Sequence, residues 1–200
     1  MVATRRSDPH APNDPEVEAA FLASPDEIVA EILDGELSLQ PRPGRPHTNA
    51  ASALGALIGG PFRFGTGGGP GGWVILDEPE IHLGPKPDKI VPDLAGWRRS
   101  RMPDAVGPEG APYYYELAPD WVCEVISKST ETVDRGKKMR IYRREGVGHL
   151  WLVSPNAQLL EVYRLESAHW LLLETYHGDS LIRAEPFEAV EIPLGALWQP

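Results

Sequence analysis

The sequence predicts a mixed α/β domain, a central mixed sheet with helices packed against it, on three observations. Asp34-Gly35 sits between apolar runs as a hairpin signal, strands flank one strong helix at Glu131 to Glu145, and closely spaced strands follow it. A strand, helix, strand order implies a crossover whose strands are parallel neighbours. The later strands, with no helix between them, read as an antiparallel extension, and no internal repeat is visible.

Taken in order, residues 1–13 are polar and proline-containing and read as a disordered tail, with a single domain over 14–200. Asp14-Pro15 forms an N-cap and first-turn proline for a short helix carrying Val17, Ala20 and Phe21. A β-hairpin turns at Asp34-Gly35, with a helix ended by Gly35 as the competing reading. Ala50, Ala51, Leu54, Leu57 and Ile58 recur at helical spacing between His47 and Ile58. Gly59 to Gly72 holds eight glycines and two prolines in fourteen positions and reads as a loop. It contains G-x-G-x-x-G at Gly67, Gly69 and Gly72, but Pro70 interrupts it and a strand follows, against a nucleotide-binding turn. Strands are expected at Trp73 to Leu76, Glu80 to Leu83, Ile90 to Trp97, Trp121 to Ser127, His149 to Val153, Leu159 to Leu165 and Trp170 to Tyr176.

Two hundred residues suffice for one core without disulfides or structural metal. The net charge of −10 excludes a uniformly basic nucleic-acid binder, so a polyanion would have to meet a local patch. One cysteine, Cys123, excludes an intramolecular disulfide framework and a multi-cysteine zinc site, and a reducing cytoplasm fits best. There is neither a signal-peptide pattern nor an apolar run long enough to span a membrane.

The chemistry concentrates in two acids on apolar segments. In Trp121 to Ser127, period-two alternation puts Glu124 on the face of Val122 and Ile126, where an unpaired charge costs several kcal/mol. Asp93 repeats the oddity in Ile90 to Trp97, although Pro92-Asp93 also reads as a turn or an edge-strand device. Each alone is explained by a structural ion pair or a turn. If the strands are neighbours, both carboxylates converge, and Mg²⁺ or Mn²⁺ would neutralise them. The following helix brings Arg135, Lys137, Lys138, Arg140, Arg143 and Arg144 beside the strand end. That is either a solvated helix face or the local patch a phosphate backbone requires.

Asp-Gly-Glu-Leu at 34–37, His47, Val-Pro-Asp-Leu at 91–94, Pro-Asp-Trp-Val-Cys-Glu-Val-Ile-Ser at 119–127, Asp-Arg-Gly-Lys-Lys at 134–138, Tyr142, Gly146-Val147 and Leu-Trp-Leu-Val at 150–153 run in order along the chain. As a set they resemble the Uma-two restriction endonuclease family of the PD-(D/E)XK nuclease superfamily. The resemblance spans about Val29 to Trp198. It implies a restriction-endonuclease-like fold and a metal-dependent endonuclease hydrolysing phosphodiester bonds of nucleic acid, most simply DNA. By position it implies Asp93 and Glu124 as metal ligands for Mg²⁺ or Mn²⁺, Lys138 as the catalytic lysine, and Glu36 as a further acid. Ile126 stands where the superfamily's usual motif has its lysine, so Lys138 on the next helix takes that place. His47 also matches, but a histidine at a helix start is commonly a cap or a packed side chain, and it is left outside the expected site.

Two rival readings remain. A nuclease-derived domain without activity would bind nucleic acid or regulate, consistent with Ile126 and the acidic balance. An assembly protein would use the Gly/Pro-rich loop and the Trp-containing strands to form a homodimer. Asp93, Glu124 and Lys138 together favour the enzyme, because a pure binder gains nothing from two core carboxylates.

Overall fold

A computed structural model of the chain describes residues 13–25, 27–102 and 112–199. Along the chain these form α1 (Pro15–Leu22), β1 (Ile28–Leu33), β2 (Glu36–Pro41), α2 (Arg45–Ile58), β3 (Trp73–Asp77), β4 (Ile81–Leu83), β5 (Asp88–Ile90), β6 (Leu94–Arg98) and β7 (Trp121–Val125). Then follow α3 (Glu131–Val133), α4 (Met139–Arg144), β8 (His149–Ser154), β9 (Leu159–Glu166), β10 (His169–His177), β11 (Leu181–Ile182), β12 (Ile192–Pro193) and α5 (Gly195–Trp198).

The strands make a six-stranded sheet in the order β10-β9-β8-β7-β6-β3, a four-stranded sheet β2-β1-β5-β4, and the small pair β11-β12. β7 and β8 are parallel and β8, β9 and β10 antiparallel, as the crossover and extension predict. Alternation on β7 splits the interior in two. Trp121, Cys123 and Val125 face a core closed by α2, α5 and Phe187, while Val122 and Ile126 face a second core with Ile141 and Tyr142 of α4 and Leu83 and Ile90 of the small sheet. The protein is therefore layered, with helices on one face of the large sheet and a helix plus a second sheet on the other.

Local chemistry accounts for several elements. Asp14 accepts a hydrogen bond from the Glu16 amide (2.8 Å) at the start of α1, ahead of Pro15. Asp34 (φ 54°) and Gly35 (φ 78°) both adopt the left-handed turn that a two-residue hairpin needs. Gly146 (φ 75°) ends α4, where the Val147 amide returns to the Tyr142 carbonyl (2.9 Å).

Four expectations need correction. Asn13 is not tail: it is buried, donating to Glu18 and to the Pro87 carbonyl, both at 2.9 Å, while residues 1–12 lie outside the described residues. Gly59 to Gly72 is not all loop, since Gly59–Arg63 extends α2 as a π-turn and buries Phe62 in the first core. Ile90 to Trp97 is not one strand. Val91-Pro92-Asp93 breaks it and carries the chain from the small sheet into the large one, because proline cannot donate to a continuing ladder. The Glu131 to Glu145 helix is interrupted by a π-turn at Asp134–Lys138. Among the described residues no helix is long and apolar enough to cross a membrane.

Candidate active site

The break at 91–93 lies where the two sheets and the α3–α4 helix meet. The register Leu94↔Cys123 and Ala95↔Val122 puts Asp93 opposite Glu124, the juxtaposition that makes the two acids a pair. Asp93 Oδ2 accepts from the Val125 amide (2.6 Å), so the side chain takes the place of the next ladder partner on β7. Its other oxygen, Oδ1, lies 2.6 Å from His47 Nε2 near the start of α2. His47 Nδ1 is buried without a hydrogen-bond partner.

Glu124 is buried, with Oε1 accepting from the Tyr142 hydroxyl and Oε2 3.3 Å from Lys138 Nζ. The lysine is buried too, 2.9 Å from Glu31 Oε1 and 3.8 Å from Asp134 Oδ1. It also donates to the Val91 carbonyl (3.3 Å), while the Val91 amide donates to Glu31 (2.9 Å). Both halves of the Val91 unit are thus claimed by the cluster, which fixes the chain where the sheets exchange. The π-turn helps to set this geometry, since Asp134 and Lys138 stand at its two ends and both turn inward.

The charges do not balance. Glu31, Asp93, Glu124 and Asp134 are four carboxyls around one ammonium group. Burial pushes the Glu124 carboxyl well above the ordinary range, and Asp134, Asp93 and Glu31 push it further against the pull of Lys138. Burial, again opposed by Lys138, raises Asp134 to about 6. Burial alone would lower the Lys138 amine, but the charges of Glu124, Glu31, Asp134 and Asp93 outweigh it and hold the amine well above its ordinary value. Burial and the Glu124 charge likewise raise the Tyr142 phenol.

An open cleft of about 720 Å³, mouth included, exposes one side of this cluster. Asp93, Glu124, Glu31, Lys138 and His47 line it together with Ser127, Thr130 and Arg42.

Of the residues expected from the sequence, Asp93, Glu124 and Lys138 come together. Glu36 does not: it stands at the exposed start of β2, paired with Lys137 (2.6 Å), with its side chain 71% exposed. The acid of the hairpin that reaches Lys138 is Glu31, five residues earlier on β1. The sequence alone does not single it out, since Glu31 between apolar Ala30 and Ile32 reads as the polar face of a half-buried strand, and the pairing of β1 with β5 is what buries it. His47 joins the site as well, through Asp93 Oδ1, in place of the cap or packing role expected for a histidine at a helix start.

The donors suit a hard divalent cation in kind, being carboxylate oxygens in excess of positive charge with Asp93 and Glu124 opposed. Among the described residues no three His, Cys, Asp or Glu side chains are grouped so as to cage an ion by themselves.

This architecture has known counterparts. A solved structure described as a putative nuclease belonging to DUF820 from Anabaena variabilis ATCC 29413 superposes with a TM-score of 0.71, covering 92% of this chain and 98% of that one at 22% identity. The fold is that of restriction-endonuclease-like nucleases. The Uma2 family, described as "Putative restriction endonuclease", matches residues 18–195, and the chain belongs to that family. Among curated proteins, none matches it.

Proposed function

We propose that the protein is a divalent-cation-dependent endonuclease that hydrolyses phosphodiester bonds of nucleic acid, with DNA as the substrate. The observation that carries this reading is the buried Lys138 amine among four carboxyls, at the wall of a cleft where Asp93 and Glu124 stand opposite each other. In a structural ion pair, acids and bases are matched in number. Here four carboxyls meet one ammonium and one imidazole, a surplus of acids that a divalent cation relieves.

Asp93 and Glu124 would hold Mg²⁺ or Mn²⁺, which when bound supplies Lewis acidity at the phosphoryl oxygen and makes water a better nucleophile. His47 fixes Asp93 through Oδ1, and Tyr142 fixes Glu124 through Oε1. Glu31, Glu124 and the Val91 carbonyl take the three N–H donors of Lys138, so the fixed ammonium acts on charge developing at the scissile phosphate through its field. With its amine pinned, the lysine pays little entropy at the moment of reaction, which is how preorganised charge lowers a barrier. Ile126, at the usual lysine position, packs in the second core, so the role belongs to the helix residue.

The test is a comparison of wild type with Asp93→Asn for Mn²⁺-induced thermal stabilisation and for DNA cleavage. Losing both supports the assignment, and losing neither overturns it. Retained cation binding in a wild type that cleaves nothing would favour a nuclease-derived binding module.

A further inference from the structure

The acidic cleft is one end of the sheet, and the other end carries the opposite charge. β6 (Leu94–Arg98) begins directly after Asp93, so Asp93 and Arg98 are five residues apart, roughly 16 Å at ~3.3 Å per residue. Around Arg98 the chain gathers three arginines about the start of β3. The Arg98 guanidinium lies over the Trp73 ring, 4.1 Å from its centroid. Arg99 donates to the Trp73 carbonyl (3.0 Å) and more weakly to that of Arg63 (3.4 Å). Arg63 in turn donates to the Ile75 carbonyl and lies 5.3 Å from the Phe64 ring centroid.

None of these three arginines makes an ion pair with a carboxylate among the described residues. The nearby acid Asp120 is already committed, one oxygen to Arg101 (2.6 Å) and the other to the Arg98 amide (2.7 Å). The guanidinium groups are held in place by carbonyls and a ring, and their charge is left uncompensated in a protein of net charge −10. Beside them Phe64 is 69% exposed. The glycine-rich turn behind it is folded down onto Pro61, with the Gly71 amide on the Pro61 carbonyl (2.9 Å) and Gly69 so close that a Cβ would lie 2.4 Å from Pro61 Cα. An apolar ring displayed beside fixed, unpaired arginines offers both elements that bind single-stranded nucleic acid, a stacking surface and a backbone-tracking charge.

We propose that Arg63, Arg98, Arg99 and Phe64 form a second nucleic-acid contact, which grips the phosphate backbone and stacks an unpaired base of the strand whose scissile bond lies in the cleft. It rests on the nuclease reading for its partner. A separation of roughly 16 Å puts the contact on sequence flanking the scissile bond.

The experiment measures binding of a fluorescent 20-nucleotide single strand by anisotropy across a salt series, in chelator, so that turnover plays no part. Arg98→Gln should make the slope of log affinity against log salt shallower by ~0.7, one lost phosphate contact, and Arg98→Lys should restore most of it. Phe64→Ala, at a side chain that is already exposed, should weaken binding about tenfold with the slope unchanged. Unchanged affinity and slope in both Arg98→Gln and Phe64→Ala, or no binding by the wild type, would overturn the proposal. A wild type that binds in this pattern but cleaves nothing with Mg²⁺ would instead overturn the nuclease reading alone.

Discussion

Lys138 shows how much one side chain can depend on its neighbours. Two lysines adjoin at 137 and 138, and helical spacing alone turns position 138 toward Ile141 and Tyr142 and position 137 away. The structure follows that pattern, burying Lys138 and leaving Lys137 on exposed Glu36. Glu36→Gln should therefore change any cleavage rate by less than about twofold, since exposed ion pairs contribute little. Glu31→Gln should cost much more, on the order of 10² in rate, because it releases the amine. Parallel single-turnover assays of the two variants check this. Asp134 makes a separate prediction through its proton. Its folded value of about 6 lies above the 3.8 of a free aspartate, so the folded state binds the proton more tightly than the unfolded chain. Below pH 4 this costs nothing, and as pH rises through 6 it removes up to ~3 kcal/mol from the cation-free protein. Urea unfolding in chelator should show the stability of Asp134→Asn rising relative to wild type between pH 4 and 6. A constant difference would contradict the shift.

At the scale of elements, alternation and turn chemistry were the readable signals. Asp34-Gly35 gave the hairpin, and Glu124 among Val122 and Ile126 gave the carboxylate on a core face. What could not be read was the choice between Glu31 and Glu36. Both lie in the hairpin, and only the pairing of β1 with β5 brings the former to Lys138. The π-turns were equally hidden, because i→i+5 hydrogen bonding leaves no compositional trace in Asp-Arg-Gly-Lys-Lys. Two glycines near this helix should respond in opposite directions. Gly136 has open space where a Cβ would stand, so Gly136→Ala should stabilise by up to about 1 kcal/mol through helix propensity. Gly146 holds φ 75° at the helix end, so Gly146→Ala should destabilise by about 1 kcal/mol. Chemical denaturation midpoints at matched pH measure both.

For the whole molecule, the two sheets, the crossover helix and α2 meet at a single point and leave it with more carboxyls than basic groups. The sequence carried the large sheet and its parallel pair, and the pairing of Asp93 with Glu124 followed once their strands were neighbours. His47 was not recoverable in the same way, because its role depends on where α2 lies across β6, a contact of long sequence separation. The raised Glu124 and Asp134 carboxyls mean that a cation entering the cleft displaces protons, so its affinity should increase with pH. Calorimetry with Mn²⁺ in two buffers of different ionisation enthalpy should register proton release near neutral pH.

The central claim is that Lys138, held by Glu31 beside Glu124, serves phosphodiester cleavage and is not merely a structural cation. Its most direct test is single-turnover cleavage of plasmid DNA with Mn²⁺ by wild type and Lys138→Met, each checked for Mn²⁺-induced thermal stabilisation. The account predicts that the wild type cleaves and that the variant is slower by on the order of 10² to 10⁴ while still gaining stability from Mn²⁺. No cleavage by the wild type, or equal rates for the two proteins, would contradict it.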